Sequence, residues 1–61
     1  MNKKLKAKIV EHFGTQVDFA EALRIDEAVV SRIVRGRREL TDDGKKQWAE
    51  ALDCKPEEIF V

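Results

Sequence analysis

The sequence has few of the residues that support catalysis, metal binding or cross-linking. Among its 61 residues are one cysteine, Cys54, and one histidine, His12. A single cysteine cannot form an internal disulfide, and a lone thiol fits a small apolar side chain in a reducing cytosol. There is no plausible catalytic Ser/His/Asp set, because His12 has no evident partner, and there is no second metal-binding His or Cys and no glycine loop that cradles phosphate. We therefore expect no enzymatic activity, no metal, no cofactor and no small-molecule substrate.

Long apolar runs are also absent from the chain. No stretch approaches the roughly 18 apolar residues that a membrane span needs. No secretory signal is visible, so the expected location is the cytoplasm. A chain of 61 residues forms one domain, which we take to be residues 1–61. A domain of this size buries only about 60% of the surface that its unfolded chain exposes, so its stability should be modest.

The chain has no net charge, but its charges are unevenly distributed. Twelve Lys and Arg residues balance twelve Asp and Glu residues. Residues 1–38 contain nine basic and five acidic side chains, a balance of +4, whereas residues 39–61 contain three and seven, a balance of −4. This asymmetry has two interpretations: one end of the domain meets an anion, or solvated faces differ by accident. Charge alone leaves both open.

Apolar residues at helical spacing predict two helices in the first part of the chain. Leu5, Ile9 and Phe13 are four residues apart, lysines occupy positions 3, 4, 6 and 8, and Gly14 is a typical helix end. A second helix of about two turns follows the N-cap residue Thr15. Its apolar positions continue the helical spacing, and they are Phe19, Ala20 and Leu23.

Three further helices complete the predicted fold. Asp26 is a good N-cap for a third helix that ends at Gly36 and buries a β-branched stripe. The stripe consists of Val29, Val30, Ile33 and Val34. Thr41 is expected to cap a fourth helix, whose inner face consists of Trp48, Ala51 and Leu52. Pro56 is expected at the first position of a short fifth helix. The sequence therefore predicts a compact, all-α domain of five helices.

The exposed face of the third helix mixes small residues with arginines. Its members are Glu27, Ala28, Ser31, Arg32 and Arg35, and Arg37 and Arg38 follow the helix. Small residues allow close approach to a partner, and arginines bind phosphates and base edges. On geometry alone, a nucleic-acid surface and an ordinary solvated face are about equally favoured.

A longer pattern resembles the helix-turn-helix of the Cro and phage-repressor family. The pattern is Thr15-Gln16-x3-Ala20-x2-Leu23-x-Ile25-x4-Val30-Ser31-x-Ile33-x2-Gly36, and "WAEALDCKPEEIF" is similar to the fourth and fifth helices of that family. The resemblance spans roughly residues 5–60 and implies a lambda repressor-like fold with a helix-turn-helix at about 16–36. It implies that Ala20 is small because two helices cross there. It also implies that Leu23, Ile25, Val30 and Ile33 fill the space between those helices.

The chain departs from the family pattern at two positions. Arg24 and Asp53 stand where the family favours glycine in a left-handed backbone conformation. A non-glycine residue there costs on the order of 1 kcal/mol, so we expect a slightly strained turn rather than a broken fold.

The resemblance implies that double-stranded DNA is the partner, with the third helix in the major groove. The residues that match base-reading positions or share their face are Glu27, Ala28, Ser31 and Arg32. Arg32 suits guanine, and Ala28 suits a thymine methyl group. Glu27 has two open interpretations, as an acceptor from a cytosine amino group or as a first-turn carboxylate that complements the helix dipole. The residues expected to contact the DNA backbone are Gln16, Arg35, Arg37 and Arg38.

The resemblance also implies a homodimer on a pseudo-palindromic site, because one domain buries too little surface for tight specific binding. The candidate interface is the apolar C-terminal cluster Ile59, Phe60 and Val61. These residues have an alternative role, which is to close the core over Trp48 and Leu52. A bacterial or phage regulator is the expected function. The rival is a protein–protein adaptor, an antitoxin or an anti-repressor of the same fold, which zero net charge favours mildly.

Overall fold

A computed structural model describes residues 1–60, and these residues form an all-α structure. The helices are α1 (Lys3–Phe13), α2 (Gln16–Leu23), α3 (Glu27–Val34), α4 (Asp42–Ala51) and α5 (Pro56–Ile59). The described residues contain no β-strand. Their radius of gyration, 10.0 Å, is close to the roughly 10.5 Å expected for a compact domain of this length. The predicted five-helix, all-α architecture is confirmed.

No helix within residues 1–60 has both the length and the apolar character needed to cross a membrane.

Side chains just before the helices fix where three of them begin. Thr15, Asp26 and Thr41 each accept a hydrogen bond from a backbone N–H two or three residues further along, at 3.0–3.1 Å. Such caps satisfy N–H groups that have no partner inside the helix. Pro56 is the first residue of α5, where its missing N–H costs nothing. These predicted helix starts are confirmed.

Asn2 caps α1 and also joins three helices. Its side-chain oxygen accepts from the Leu5 N–H at 3.0 Å, and its side-chain amide donates to the Ile59 carbonyl at 2.6 Å. Its backbone N–H donates to the Val34 carbonyl at 2.7 Å. One residue thus ties the start of α1 to the end of α3 and to α5. The sequence pattern gave no indication of this role.

Three helices end in the same left-handed turn, known as the Schellman motif. The left-handed residues are Arg24 (φ 59°), Gly36 (φ 80°) and Asp53 (φ 53°). In each turn the next residue donates its N–H to the carbonyl five positions earlier, as Ile25 does to Ala20 at 3.0 Å. The left-handed backbone expected at Arg24 and Asp53 is therefore present. α3 ends at Val34, two residues before Gly36, because Gly36 occupies this turn.

All five helices contribute to one apolar core. The buried side chains are Leu5, Ile9, Phe19, Ala20, Val30, Ile33, Val34, Trp48, Ala49, Leu52 and Ile59. Phe19 lies at the centre, and its ring meets those of Phe13 and Trp48 edge to face, with centroids 5.0 Å apart in each pair. The predicted stripe of α3 is confirmed, with Val29 partly buried against the core.

The position of Ile25 differs from its expected role between α2 and α3. Its side chain is 37% exposed, whereas Leu23 packs partly buried against the core. Ile25 follows the left-handed Arg24 and precedes the N-cap of α3, so the turn carries it to the outside of the domain.

Candidate nucleic-acid interface

The two sides of α3 have opposite environments. Val30, Ile33 and Val34 are buried, whereas Glu27, Ala28 and Arg32 are exposed. Ser31 is partly buried between these two surfaces. A helix with one apolar stripe must place its remaining residues on the opposite side. The small and charged residues of α3 therefore face solvent, as the spacing predicted.

The turn after α3 brings another arginine back to this face. Gly36 donates its N–H to the Ile33 carbonyl at 3.1 Å, and Arg37 donates its N–H to the Arg32 carbonyl at 2.9 Å. These two bonds form the Schellman motif, which requires positive φ at its middle residue and so favours glycine. The motif fixes the backbone of Arg37 one turn away from Arg32, which explains why the chain beyond the helix still contributes to the same surface.

Six of the residues predicted to contact DNA line one surface depression of about 490 Å³, which we call the α3 depression. They are Glu27, Ala28, Ser31, Arg32, Arg35 and Arg37. All four candidate base-reading residues are in this set, with two of the four candidate backbone contacts. Their side chains come from one helix and its terminal turn, so the backbone positions of the three arginines are set by α3 and by that hydrogen-bonded turn.

The other two candidate backbone contacts lie outside the α3 depression. Gln16 is the first residue of α2 and is partly buried. Arg38 lines a different depression, together with Lys3 and Lys4 of α1. The sequence grouped Arg38 with Arg37 because they are adjacent, but the turn at Gly36 directs the two residues to different surfaces.

The arginines of the α3 depression are available to an external anion. Within residues 1–60 the ion pair present is between Lys8 and Glu11, at 3.9 Å, and it lies on α1. Arg32, Arg35 and Arg37 are exposed and form no ion pair with a described residue. The one carboxylate in the depression is that of Glu27. The local balance of charge is therefore positive.

Two members of the predicted dimer cluster, Ile59 and Phe60, pack inward. Ile59 is 2% exposed and belongs to the core, so its side chain is closed to a second protomer. Phe60 packs partly buried against the same core. For Ile59 and Phe60 this arrangement agrees with the alternative role, which is to close the core. The third member, Val61, lies outside the described residues.

The described residues offer no cluster suited to a metal ion. Within residues 1–60 no group of three or more His, Cys, Asp and Glu side chains could hold one. Cys54 is partly buried. Burial raises the pKa of its thiol, and the nearby carboxylate of Glu58 raises this pKa further.

Comparisons with known proteins give a family but no function. A search of curated proteins and a search of solved structures both find no match. One family model matches residues 2–61, and its description is "Protein of unknown function (DUF739)". Because this match covers almost the whole chain, the protein belongs to the DUF739 family.

Proposed function

We propose that the protein is a sequence-specific regulator of transcription that binds double-stranded DNA in the manner of Cro and phage-repressor domains. In this proposal α2, the left-handed turn and α3 form a helix-turn-helix, and α3 lies in the major groove. The protein acts in the cytoplasm of a bacterium, on chromosomal or phage DNA.

The α3 depression is the observation that carries the proposal. It combines three unpaired arginines with two small residues, the exposed Ala28 and the partly buried Ser31, on one surface formed by α3 and its terminal turn. The small residues permit close approach of a groove wall, and each arginine donates in a fork that fits a guanine edge or a phosphate. A face shaped only by solubility would not need to concentrate arginines beside small side chains.

The backbone at two departures from the family pattern also supports the proposal. Cro-like domains favour glycine at the positions of Arg24 and Asp53, and both residues are left-handed here, with φ of 59° and 53°. Ala20, the expected crossing point of α2 and α3, is 2% exposed. Three local properties expected from the resemblance are thus present in the backbone and the core.

We further propose that the protein binds as a homodimer on a pseudo-palindromic site. A single module buries about 600–1,000 Å² against DNA, and specific regulators typically bury more by pairing two modules. Half-sites about one helical turn apart would allow two copies of α3 to enter successive major grooves on one side of the duplex.

Selection of bound sites from a pool of random duplex DNA tests this proposal. We expect enrichment of a sequence with two-fold symmetry whose half-site centres are about 10 base pairs apart. Sedimentation of the protein with the selected duplex should give two protomers per DNA. A protein–protein adaptor of the same fold would enrich no sequence and show no salt-dependent retention of random DNA. That result would refute the proposal in favour of the adaptor.

A further inference from the structure

A second surface depression has a chemistry different from that of the α3 depression. Its volume is about 770 Å³, and α1, α3, α4, α5 and the loop between α3 and α4 all contribute to it. We call it the second depression. Four of its lining residues are large apolar side chains, buried or partly buried, and they are Ile33, Leu40, Ile59 and Phe60. It therefore has an apolar floor, whereas Ala28 is the one apolar residue of the α3 depression.

Positive charge surrounds this apolar floor. The cationic lining residues are Lys3, Lys4, Arg38 and Lys45, against one carboxylate, that of Glu39. None of the four forms an ion pair with any residue in the part of the chain that the structure describes. Lys3 and Lys4 belong to α1, Arg38 to the loop between α3 and α4, and Lys45 to α4. The fold therefore brings together cations that are distant in the sequence.

The start of α1 adds to this positive potential. Its first turn contains Lys3 and Lys4 and no acidic residue. A helix N-terminus carries a partial positive charge that disfavours lysine there. Lysines in place of the favoured Asp or Glu are a local conflict, and such conflicts are typical of functional sites.

We propose that the second depression binds a short segment of a partner protein in which carboxylates alternate with large apolar side chains. Carboxylates of the segment would pair with the four cations, and its apolar side chains would cover Leu40 and Phe60, which remain partly exposed. The proposal does not depend on DNA binding, because the depression lies apart from Arg32, Arg35 and Arg37.

The apolar floor favours a peptide over the phosphates of DNA as the occupant. A sugar–phosphate backbone offers charge and few apolar groups, so it would use the cations and leave the floor uncovered. An amphipathic acidic peptide uses both parts of the site, because binding of a peptide in a groove depends on apolar anchors in addition to charge.

A phage-displayed pool of random peptides of about twelve residues, selected on the full chain at about 150 mM salt, tests the proposal. We expect the enriched peptides to combine Asp or Glu with Leu, Ile or Phe. Fluorescence anisotropy of one labelled peptide then compares two double variants with the unchanged protein. Lys3→Glu with Lys45→Glu alters the second depression. Lys6→Glu with Lys46→Glu makes the same change of charge at exposed residues outside it.

We expect the first double variant to weaken peptide binding by at least about tenfold and the second by less than about threefold. Replacing the apolar residues of the peptide with serine should abolish binding, and this step needs no change to the protein. Urea unfolding of both variants confirms that they fold.

Three outcomes would overturn the proposal. The selection enriches no peptide, or the enriched peptides lack acidic residues, or both double variants weaken binding equally. A loss of random duplex DNA binding at low salt in the first variant, without enrichment of acidic apolar peptides, would instead identify the second depression as a phosphate-contacting surface.

Discussion

Arg24 occupies a left-handed turn, and we expect this conformation to lower the stability of the fold. Its φ of 59° and ψ of 41° place it in the left-handed region, which costs a residue with a Cβ atom about 1–2 kcal/mol. Arg24→Gly and Arg24→Ala both remove the side chain, but only glycine removes the strain. We expect the glycine variant to be more stable than the alanine variant by about 0.5–1 kcal/mol, after the greater unfolded-state entropy of glycine is subtracted. Urea unfolding midpoints measure the difference, and equal midpoints would contradict it.

Arg32 and Arg37 line the same depression but are expected to have different roles. Arg32 lies on α3, and Arg37 lies in the turn that follows it. We expect Arg32→Ala to relax base preference at one position of each half-site, a loss of about 1–3 kcal/mol of discrimination. Arg37→Ala should weaken binding to all sequences alike, because a phosphate contact carries no sequence information. Site selection with each variant measures both effects, and identical outcomes would contradict the division of roles.

The reactivity of the Cys54 thiol tests how burial and the neighbouring carboxylate of Glu58 affect its ionisation. Burial and then Glu58 raise the pKa of this thiol, so a smaller fraction of Cys54 is thiolate in the folded protein. We therefore expect iodoacetamide at pH 8 to react more slowly with Cys54 in the folded protein than in the urea-unfolded chain. In the unchanged protein the Glu58 carboxylate accepts a hydrogen bond from the Lys55 N–H at 2.6 Å. Glu58→Gln keeps an oxygen that can accept this bond and removes the negative charge. This variant should react faster, and Glu57→Gln should not.

The same pKa shift has a defined sign for stability. The neutral thiol is favoured in the folded state, so its contribution is present below the unfolded pKa of Cys54 and is lost as the pH rises toward the folded pKa. Stability should therefore fall slightly more steeply on the alkaline side for the unchanged protein than for Cys54→Ala.

At the scale of helices, we expect the packing of α2 on α3 to depend on a small residue. Ala20 is 2% exposed, whereas Ala22 on the same helix is exposed. We expect Ala20→Leu to cost about 1–3 kcal/mol of stability, because added methylene groups force packed helices apart. Ala22→Leu makes the same change at the surface and should stay within about 0.5 kcal/mol of the unchanged protein. Urea unfolding compares them, and equal losses would argue against a tight crossing at Ala20.

Most helix boundaries could be predicted from the sequence because the capping residues agreed with the spacing of the apolar residues. The caps at Thr15, Asp26 and Thr41 are local, and so are the helix ends. The role of Asn2 was not readable, because its partners Val34 and Ile59 are distant in the sequence. Local spacing also cannot show which helices meet at a surface, so the second depression could not be predicted from it.

The candidate site was predicted in part for the same reason. Residues on α3 share a rigid helix, so their common face followed from spacing alone. The separation of Arg38 from Arg37 was not predictable because it depends on the turn at Gly36. The sequence left two roles open for Ile59, because an apolar residue has the same spacing whether it packs inward or outward. In the structure, α5 packs onto the core and buries Ile59.

For the whole molecule, the uneven charge predicts how DNA affinity depends on salt, even though the net charge is zero. If Arg35 and Arg37 of each protomer contact phosphates, a dimer neutralises about four, and log affinity should fall against log salt with a slope of about −3.6. Arg37→Ala removes two contacts per dimer and should reduce the slope by about 1.8. Lys46→Ala, on an exposed part of α4 outside both depressions, should leave it unchanged. Filter binding from 50 to 300 mM salt, roughly the range in which counterion release dominates, measures all three slopes. A slope near zero for the unchanged protein would show that the basic residues within 1–38 do not contact a polyanion. Contacts between cations and phosphates always release counterions, and neutral contacts cannot cancel that dependence on salt.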